Sequence, residues 1–141
     1  MKKIFIFIIM VLFAFGCDTG RINNNNPNIP NYTVNLQINL NLPGNSSLQF
    51  PSNYIVDYSQ GARGIVIFNA GNYFVAYDLA CPNQPYSGGN CNTAMTISGI
   101  EATCGCDNTV YNLFSGQCPG QQYPMKQYRV DVSGNYLIVT N

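Results

Sequence analysis

Four of the six cysteines of this chain lie between Cys81 and Asp107, and this cluster constrains the fold more than any other sequence feature. Cys81 opens the turn-rich stretch Cys-Pro-Asn-Gln-Pro, and Cys104 opens a second one, Cys-Gly-Cys-Asp. Two cysteine loops at the tips of neighbouring hairpins can hold a small inorganic cluster between them, or they can be joined by a disulfide bond. The main functional question is therefore which of these two states the loops adopt.

The segments around the loops predict short β-strands. From Val34 to Leu40 apolar side chains alternate with polar ones, which is the pattern of a strand buried on one face. Two β-rich runs at 64–68 and 73–77 flank the turn sequence Asn-Ala-Gly-Asn, which indicates a hairpin. The runs 95–98 and 100–103 flank Gly99 and predict a second tight hairpin. Further strands are predicted at 53–58, 110–114, 127–132 and 136–140. Gly and Pro turns separate these strands, and no helix signal appears after the apolar N-terminal run at 4–15. We therefore predict an all-β domain, a small antiparallel sandwich or barrel.

The N-terminus resembles a bacterial lipoprotein signal. Two lysines precede an apolar run at 4–15, and small residues then lead to Cys17. The run is shorter than the ~20 apolar residues that a membrane span needs. We predict a signal peptide at 1–16, a covalent lipid such as palmitate on Cys17, a disordered Asn- and Pro-rich tether at 17–31, and a folded domain at 32–141. An ordinary signal peptide or a short anchor helix is the alternative interpretation.

Composition excludes several classes of function. After the leader the chain has four basic residues against six acidic ones, so it offers no basic surface for nucleic acid. The chain contains no histidine, so it cannot form a nucleophilic triad with an imidazole base. The acidic residues are too scattered to indicate a catalytic carboxylate pair. Strand tyrosines and phenylalanines predict core packing, with a carbohydrate-binding platform as the alternative.

Export would place the five cysteines after Cys17 in an oxidising compartment, where disulfides persist. Since five is odd, at least one thiol stays free or serves a ligand or a partner, and the residues alone leave fifteen ways to form two bridges. A metal site is the alternative, with thiolates from Cys81, Cys104, Cys106 and also Cys91. The Cys-x-Cys pair matches zinc and thiol-oxidoreductase motifs less well than Cys-x-x-Cys would.

The order of these features resembles the Rieske iron–sulfur family over residues 64–141. The first box of that family is Cys-x-His and its second is Cys-Pro-x-His. Here Cys81-Pro82-Asn83 stands at the first box and Cys104-Gly105-Cys106-Asp107 at the second. An aromatic strand with a Gly turn, a proline-bearing return and a closing hairpin follow at 111–116, 123–130 and 134–139. The resemblance implies a Rieske-like fold, with electron transfer through a [2Fe-2S] cluster at Cys81 and Cys104 as the family's activity.

The chain departs from the family at the ligands. A Rieske cluster takes two cysteines and two histidines, but Asn83 and Asp107 stand at the histidine positions. A bis-histidine cluster is therefore excluded, and we expect no metal or other cofactor apart from the lipid. For an emptied site the resemblance implies disulfides between Cys81 and Cys104 and between Cys91 and Cys106, with Cys118 left over.

Together these observations predict a lipid-anchored domain of the cell envelope, at the periplasmic or outer-membrane face, that is not an enzyme. We expect a structural or interaction module whose partners are the membrane and an unidentified protein. Electron transfer through an atypically ligated [2Fe-2S] cluster, as a component of an oxidoreductase system, is the alternative.

Overall fold

A computed structural model of the chain describes Ile22 and residues 25–141, and within these residues it contains nine β-strands and one 3₁₀-helix. The predicted signal peptide and the predicted lipidation site, Cys17, lie outside the described residues. The strands are β1 (Asn35–Asn39), β2 (Tyr54–Asp57), β3 (Ile65–Asn69), β4 (Phe74–Asp78), β5 (Thr96–Ser98), β6 (Glu101–Thr103), β7 (Val110–Asn112), β8 (Gln127–Ser133) and β9 (Tyr136–Thr140), and the 3₁₀-helix is η1 (Pro43–Gln49). The prediction of an all-β domain is confirmed.

The strands form two antiparallel sheets. The larger sheet has six strands in the order β1-β9-β8-β4-β3-β2, and the smaller has three in the order β5-β6-β7. The hairpins predicted around Asn69–Asn72 and around Gly99 are present as β3–β4 and β5–β6. No helix of the described part of the chain combines the length and the apolar character needed to cross a bilayer.

β3 lies between two hydrophobic cores, which explains why its first four residues are apolar and why it is buried at every position. Ile65 and Ile67 pack in a first core with side chains of β1, η1, β8 and β9. Val66 and Phe68 pack in a second core with side chains of β6 and β7. The second core also includes three of the cysteines, so the cysteine loops rest directly on packed apolar side chains.

Polar contacts cover the edge of β1, which is one of the two outer strands of the larger sheet. The Gln60 side chain accepts a hydrogen bond from the Asn35 backbone N–H at 2.8 Å and donates one to the Asn35 carbonyl at 2.9 Å. An amide side chain thus takes the place of a neighbouring strand at this edge, which protects it from pairing with another chain. At the other end of the strands, η1 buries Leu48 completely, and Asn69 donates to the Leu48 carbonyl at 2.8 Å.

The segment 26–31, which we call the strap, is hydrogen-bonded to the domain, although the sequence placed it in the tether. Its Ile29 side chain is buried. The buried Lys126 ammonium group donates to the Pro30 carbonyl at 2.8 Å and to Asn31 Oδ1 at 3.1 Å. Burial lowers the pKa of Lys126, and the charge of Asp78 partly offsets this effect. Residues of the strap, which the sequence analysis assigns to the tether, therefore pack against the domain.

The cysteine loops as candidate functional site

A buried carboxylate delivers the first cysteine loop, residues 81–91, from the end of β4. Asp78 is fully buried, and its oxygens accept hydrogen bonds from the N–H groups of Ala62 and Ala80 and from the Tyr128 hydroxyl at 2.6, 2.8 and 2.7 Å. Gly61 approaches so closely that an added Cβ would lie 2.8 Å from Asp78 Oδ2. Because each oxygen is paired, the carboxylate fixes the direction in which the chain leaves β4.

The second cysteine loop, residues 104–109, is the tip of the β6–β7 hairpin. The Cys104 N–H donates to the Thr109 carbonyl at 2.9 Å, and the Asn108 N–H donates to the Cys104 carbonyl at 2.9 Å. Asn108 has a positive φ of 58°, which asparagine tolerates in a tight turn. The hairpin therefore holds Cys104 at a fixed place over the second core.

Two disulfides join the loops, which confirms the prediction of disulfide bonds. Cys81 pairs with Cys104 and Cys91 with Cys106, and their Cα–Cα distances are 5.6 and 5.5 Å. This is the pairing that the family resemblance implied. Cys118 carries a free thiol and is partly buried. Cys81, Cys91 and Cys104 are buried, whereas Cys106 is exposed, and the four sulfurs lie within 4.8 Å of one another.

Asn83, which the resemblance placed at the first histidine position of the Rieske pattern, ties the first cysteine loop to the rest of the domain. Its amide donates to the Tyr111 hydroxyl at 2.9 Å and to the Tyr123 carbonyl at 2.8 Å, and its Oδ1 accepts from the Tyr123 N–H at 3.0 Å. Tyr111 is completely buried, so its hydroxyl needs this partner. The side chain thus links the first cysteine loop to the chain after Cys118.

Asp107, which the resemblance placed at the second histidine position of the Rieske pattern, joins the two loops on the exposed side. Gln84 Nε2 donates to Asp107 Oδ2 at 2.7 Å, and Thr109 donates to Oδ1 from its N–H at 3.0 Å and from its hydroxyl at 2.6 Å. Burial works towards a higher pKa of Asp107, but the hydrogen bonds from Thr109 and Gln84 outweigh it and lower the pKa below its usual value. The carboxylate therefore stays charged and hydrogen-bonded at neutral pH.

The residues at the cluster positions do not fit a two-cysteine, two-histidine [2Fe-2S] centre. Cys81 and Cys104 are bonded to each other, and a cluster needs free thiolates. The oxygen of Asn83 already accepts a backbone N–H, and an amide is in any case a weak ligand for iron. The donor set therefore favours a cross-linked pair of loops over a Rieske cluster.

The strap covers the first cysteine loop from the side of the N-terminus. Asn26 and Asn28 both donate from their side-chain amides to the Pro82 carbonyl, at 3.0 and 2.9 Å. The Tyr86 N–H donates to the Asn28 carbonyl at 3.0 Å. The guanidinium of Arg63 lies 4.8 Å from the centre of the Tyr86 ring and donates to the Cys91 carbonyl at 3.0 Å. The loop is thus held by the strap and by Arg63 as well as by its disulfides.

Comparison with known proteins gives only distant structural likenesses. No family model and no curated protein matches the chain. It is similar to a ferredoxin of Sphingomonas yanoikuyae B1, with 15% identity and a TM-score of 0.44 over 65% of this chain and 88% of that one. It is also similar to a nitrite reductase NADPH small-subunit protein, with 19% identity and a TM-score of 0.41 over 66% and 92%. Both likenesses are too distant to assign a site or an activity to this chain.

Several contacts of the site were not predicted from the sequence. The Gln84–Asp107 and Asn83–Tyr123 hydrogen bonds join residues 23 and 40 positions apart, and no periodicity reports such pairs. The polar composition of the strap predicts a tether. Its one signal was Ile29, an isolated apolar residue between two prolines.

Proposed function

We propose that the chain is an exported, lipid-anchored module of the cell envelope without catalytic activity, and that its cross-linked cysteine loops present a rigid surface to a protein partner. The observation that carries the proposal is that every chemically distinctive side chain of the loops is already engaged. The four cysteines form disulfides, and Asn83 and Asp107 are hydrogen-bonded within the domain. A surface fixed in this way loses little conformational entropy when it binds a partner.

The leader sequence and the disulfides support the proposed location. Disulfides persist in oxidising compartments, and an apolar run that stops at a cysteine is typical of a lipidated precursor. Mass spectrometry of the mature N-terminal peptide tests the lipid on Cys17. We expect an acylated peptide, and an unmodified one would remove the membrane anchor from the proposal.

The cluster-free state is tested on chain matured in a host with intact iron–sulfur assembly. We expect a colourless protein without iron, in which peptide mapping without reduction recovers the Cys81–Cys104 and Cys91–Cys106 links. An electron paramagnetic resonance signal of a reduced binuclear iron centre would refute the module and support electron transfer instead. That second candidate function rests on the convergence of four sulfurs within 4.8 Å.

A further inference from the structure

The four loop cysteines form a compact group of sulfurs, although they belong to two disulfides. We infer that an external dithiol can reduce both disulfides and that Cys81, Cys91, Cys104 and Cys106 then bind one Zn²⁺ as a tetrathiolate site. The inference rests on the proposed function, because the disulfides to be reduced are those that cross-link the loops in that proposal.

The positions of the sulfurs suit a mononuclear tetrahedral ion. With Zn–S bonds of about 2.3 Å, the sulfurs of a tetrahedral site lie about 3.8 Å from one another. The four sulfurs here already lie within 4.8 Å of one another. After reduction, the two pairs that are now bonded have to separate by about 1.7 Å. The unbonded pairs have to approach by no more than about 1 Å, and side-chain rotation can supply both movements.

Contacts other than the disulfides keep the loops together after reduction. The Gln84–Asp107 hydrogen bond still joins the two loops, and Asn83 still ties the first loop to Tyr123. The hairpin hydrogen bonds still position Cys104. A site whose ligands are held in place without the metal loses less entropy when the metal binds.

The surroundings of the sulfurs suit a charged metal site. Four thiolates and one Zn²⁺ carry a net charge of about −2, and the Arg63 guanidinium donates to the Cys91 carbonyl at 3.0 Å beside them. Thr93 Oγ1 lies 3.6 Å from Cys106 Sγ and can donate to a thiolate there. Cys106 is the exposed member of the group, so zinc and the reductant can reach the site from its side.

The reaction balances without any further oxidant. Each disulfide accepts two electrons and two protons from one dithiol, which becomes a disulfide itself, so two dithiols give four thiols. Binding of Zn²⁺ then releases the four thiol protons to solvent. Cys118 takes no part, because its sulfur does not belong to the group and instead lies 3.8 Å from the Pro119 carbonyl.

The test uses the mature chain, reduced under nitrogen with an immobilised dithiol that is removed before metal is added. We expect one Co²⁺ per chain, with the visible spectrum of tetrahedral thiolate coordination, and its displacement by one equivalent of Zn²⁺. The Cys118→Ser variant serves as the matched control and should bind equally well. Cys106→Ser removes a ligand and should weaken zinc binding by more than about 10-fold, since even second-shell losses cost 10–100-fold.

Four outcomes would overturn the inference: no metal uptake by the reduced chain, equal uptake by the oxidised chain, loss of uptake in Cys118→Ser, or a binuclear iron cluster that forms in preference to bound zinc. Near-ultraviolet circular dichroism follows the fold in parallel. If reduction unfolds the chain, one equivalent of Zn²⁺ should restore the spectrum, and failure to restore it counts against the site. The proposed function is tested on the chain as isolated, without added metal, whereas this inference is tested by adding metal to the reduced and the oxidised chain, so the two can fail separately.

Discussion

Removal of the Cys91–Cys106 disulfide provides a quantitative test of how the cysteine loops stabilise the domain. In the chain-entropy model, a bond across a sequence separation of 15 stabilises by about 3 kcal/mol. With Cys81–Cys104 intact, the shorter route between the two residues runs through that bond and spans about 12 residues, which lowers the figure to about 2.8 kcal/mol. We therefore expect Cys91→Ser/Cys106→Ser to lose about 3 kcal/mol of unfolding free energy.

The other bond should cost more. With Cys91–Cys106 intact, the shorter route between Cys81 and Cys104 also spans about 12 residues, so the same model gives about 2.8 kcal/mol for this bond too, and the difference comes from burial. Both of its cysteines are also buried in the second core, so serine would place two hydroxyl groups in an apolar setting. The expected order of destabilisation is Cys81→Ser/Cys104→Ser, then Cys91→Ser/Cys106→Ser, with the control Cys118→Ser last.

Urea unfolding followed by tyrosine fluorescence measures this order. With a slope of roughly 1.5 kcal/mol/M, a loss of 3 kcal/mol moves the midpoint by about 2 M. A midpoint shift below about 0.5 M for Cys91→Ser/Cys106→Ser, at unchanged slope, would show that the loop ends are restrained without the bond. Equal shifts for both double variants would show that burial of the first pair contributes nothing.

Three further predictions concern single side chains. Asn83→Ala leaves the buried Tyr111 hydroxyl without its partner and should lower the free energy of unfolding, measured in urea, by about 1–3 kcal/mol. In a Tyr111→Phe background this loss should be smaller, and an unchanged loss would contradict the pairing. Gln60→Ala exposes the edge of β1 and should lower the free energy of unfolding by about 1 kcal/mol, which a lower thermal midpoint would show. An unchanged midpoint would mean that the Gln60 hydrogen bonds do not stabilise this edge. Burial raises the pKa of Tyr77 to about 12 from 10.0. Between these pH values the native state keeps a proton that the unfolded state loses, so the free energy of unfolding falls as the pH rises from about 10 through 12. In a Cys118→Ser background, Tyr77→Phe should reduce the loss of stability between pH 9 and 11 by about 1 kcal/mol, and parallel pH profiles would refute the assignment.

The strands were predictable because their signals are local. Alternation from Val34 to Leu40 and the turn sequences at 69–72 and Gly99 correctly predicted β1 and two hairpins. The 3₁₀-helix η1 was missed, because a seven-residue 3₁₀-helix with a single buried residue, Leu48, has no periodicity to detect.

The site was predictable only in part. The absence of histidine excluded one cofactor from composition alone. The pairing of the cysteines came from the family resemblance, since the residues themselves left fifteen possibilities. The roles of Asn83 and Gln84 depend on partners that the fold brings close from far along the chain, so only the three-dimensional structure reveals them.

The docked strap also limits how the domain can stand on a bilayer in the lipid-anchored form that we propose. Between Cys17 and Asn26 the chain can extend by only about 30 Å, at roughly 3.4 Å per residue. The strap joins the domain beside Pro82, so the cross-linked loops would lie on the side of the domain that faces the membrane. β8 runs away from that end for about 20 Å to the turn at Gly134. A partner embedded in the lipid would contact the cross-linked loops, and a partner that approaches from the aqueous phase would contact the turn at Gly134.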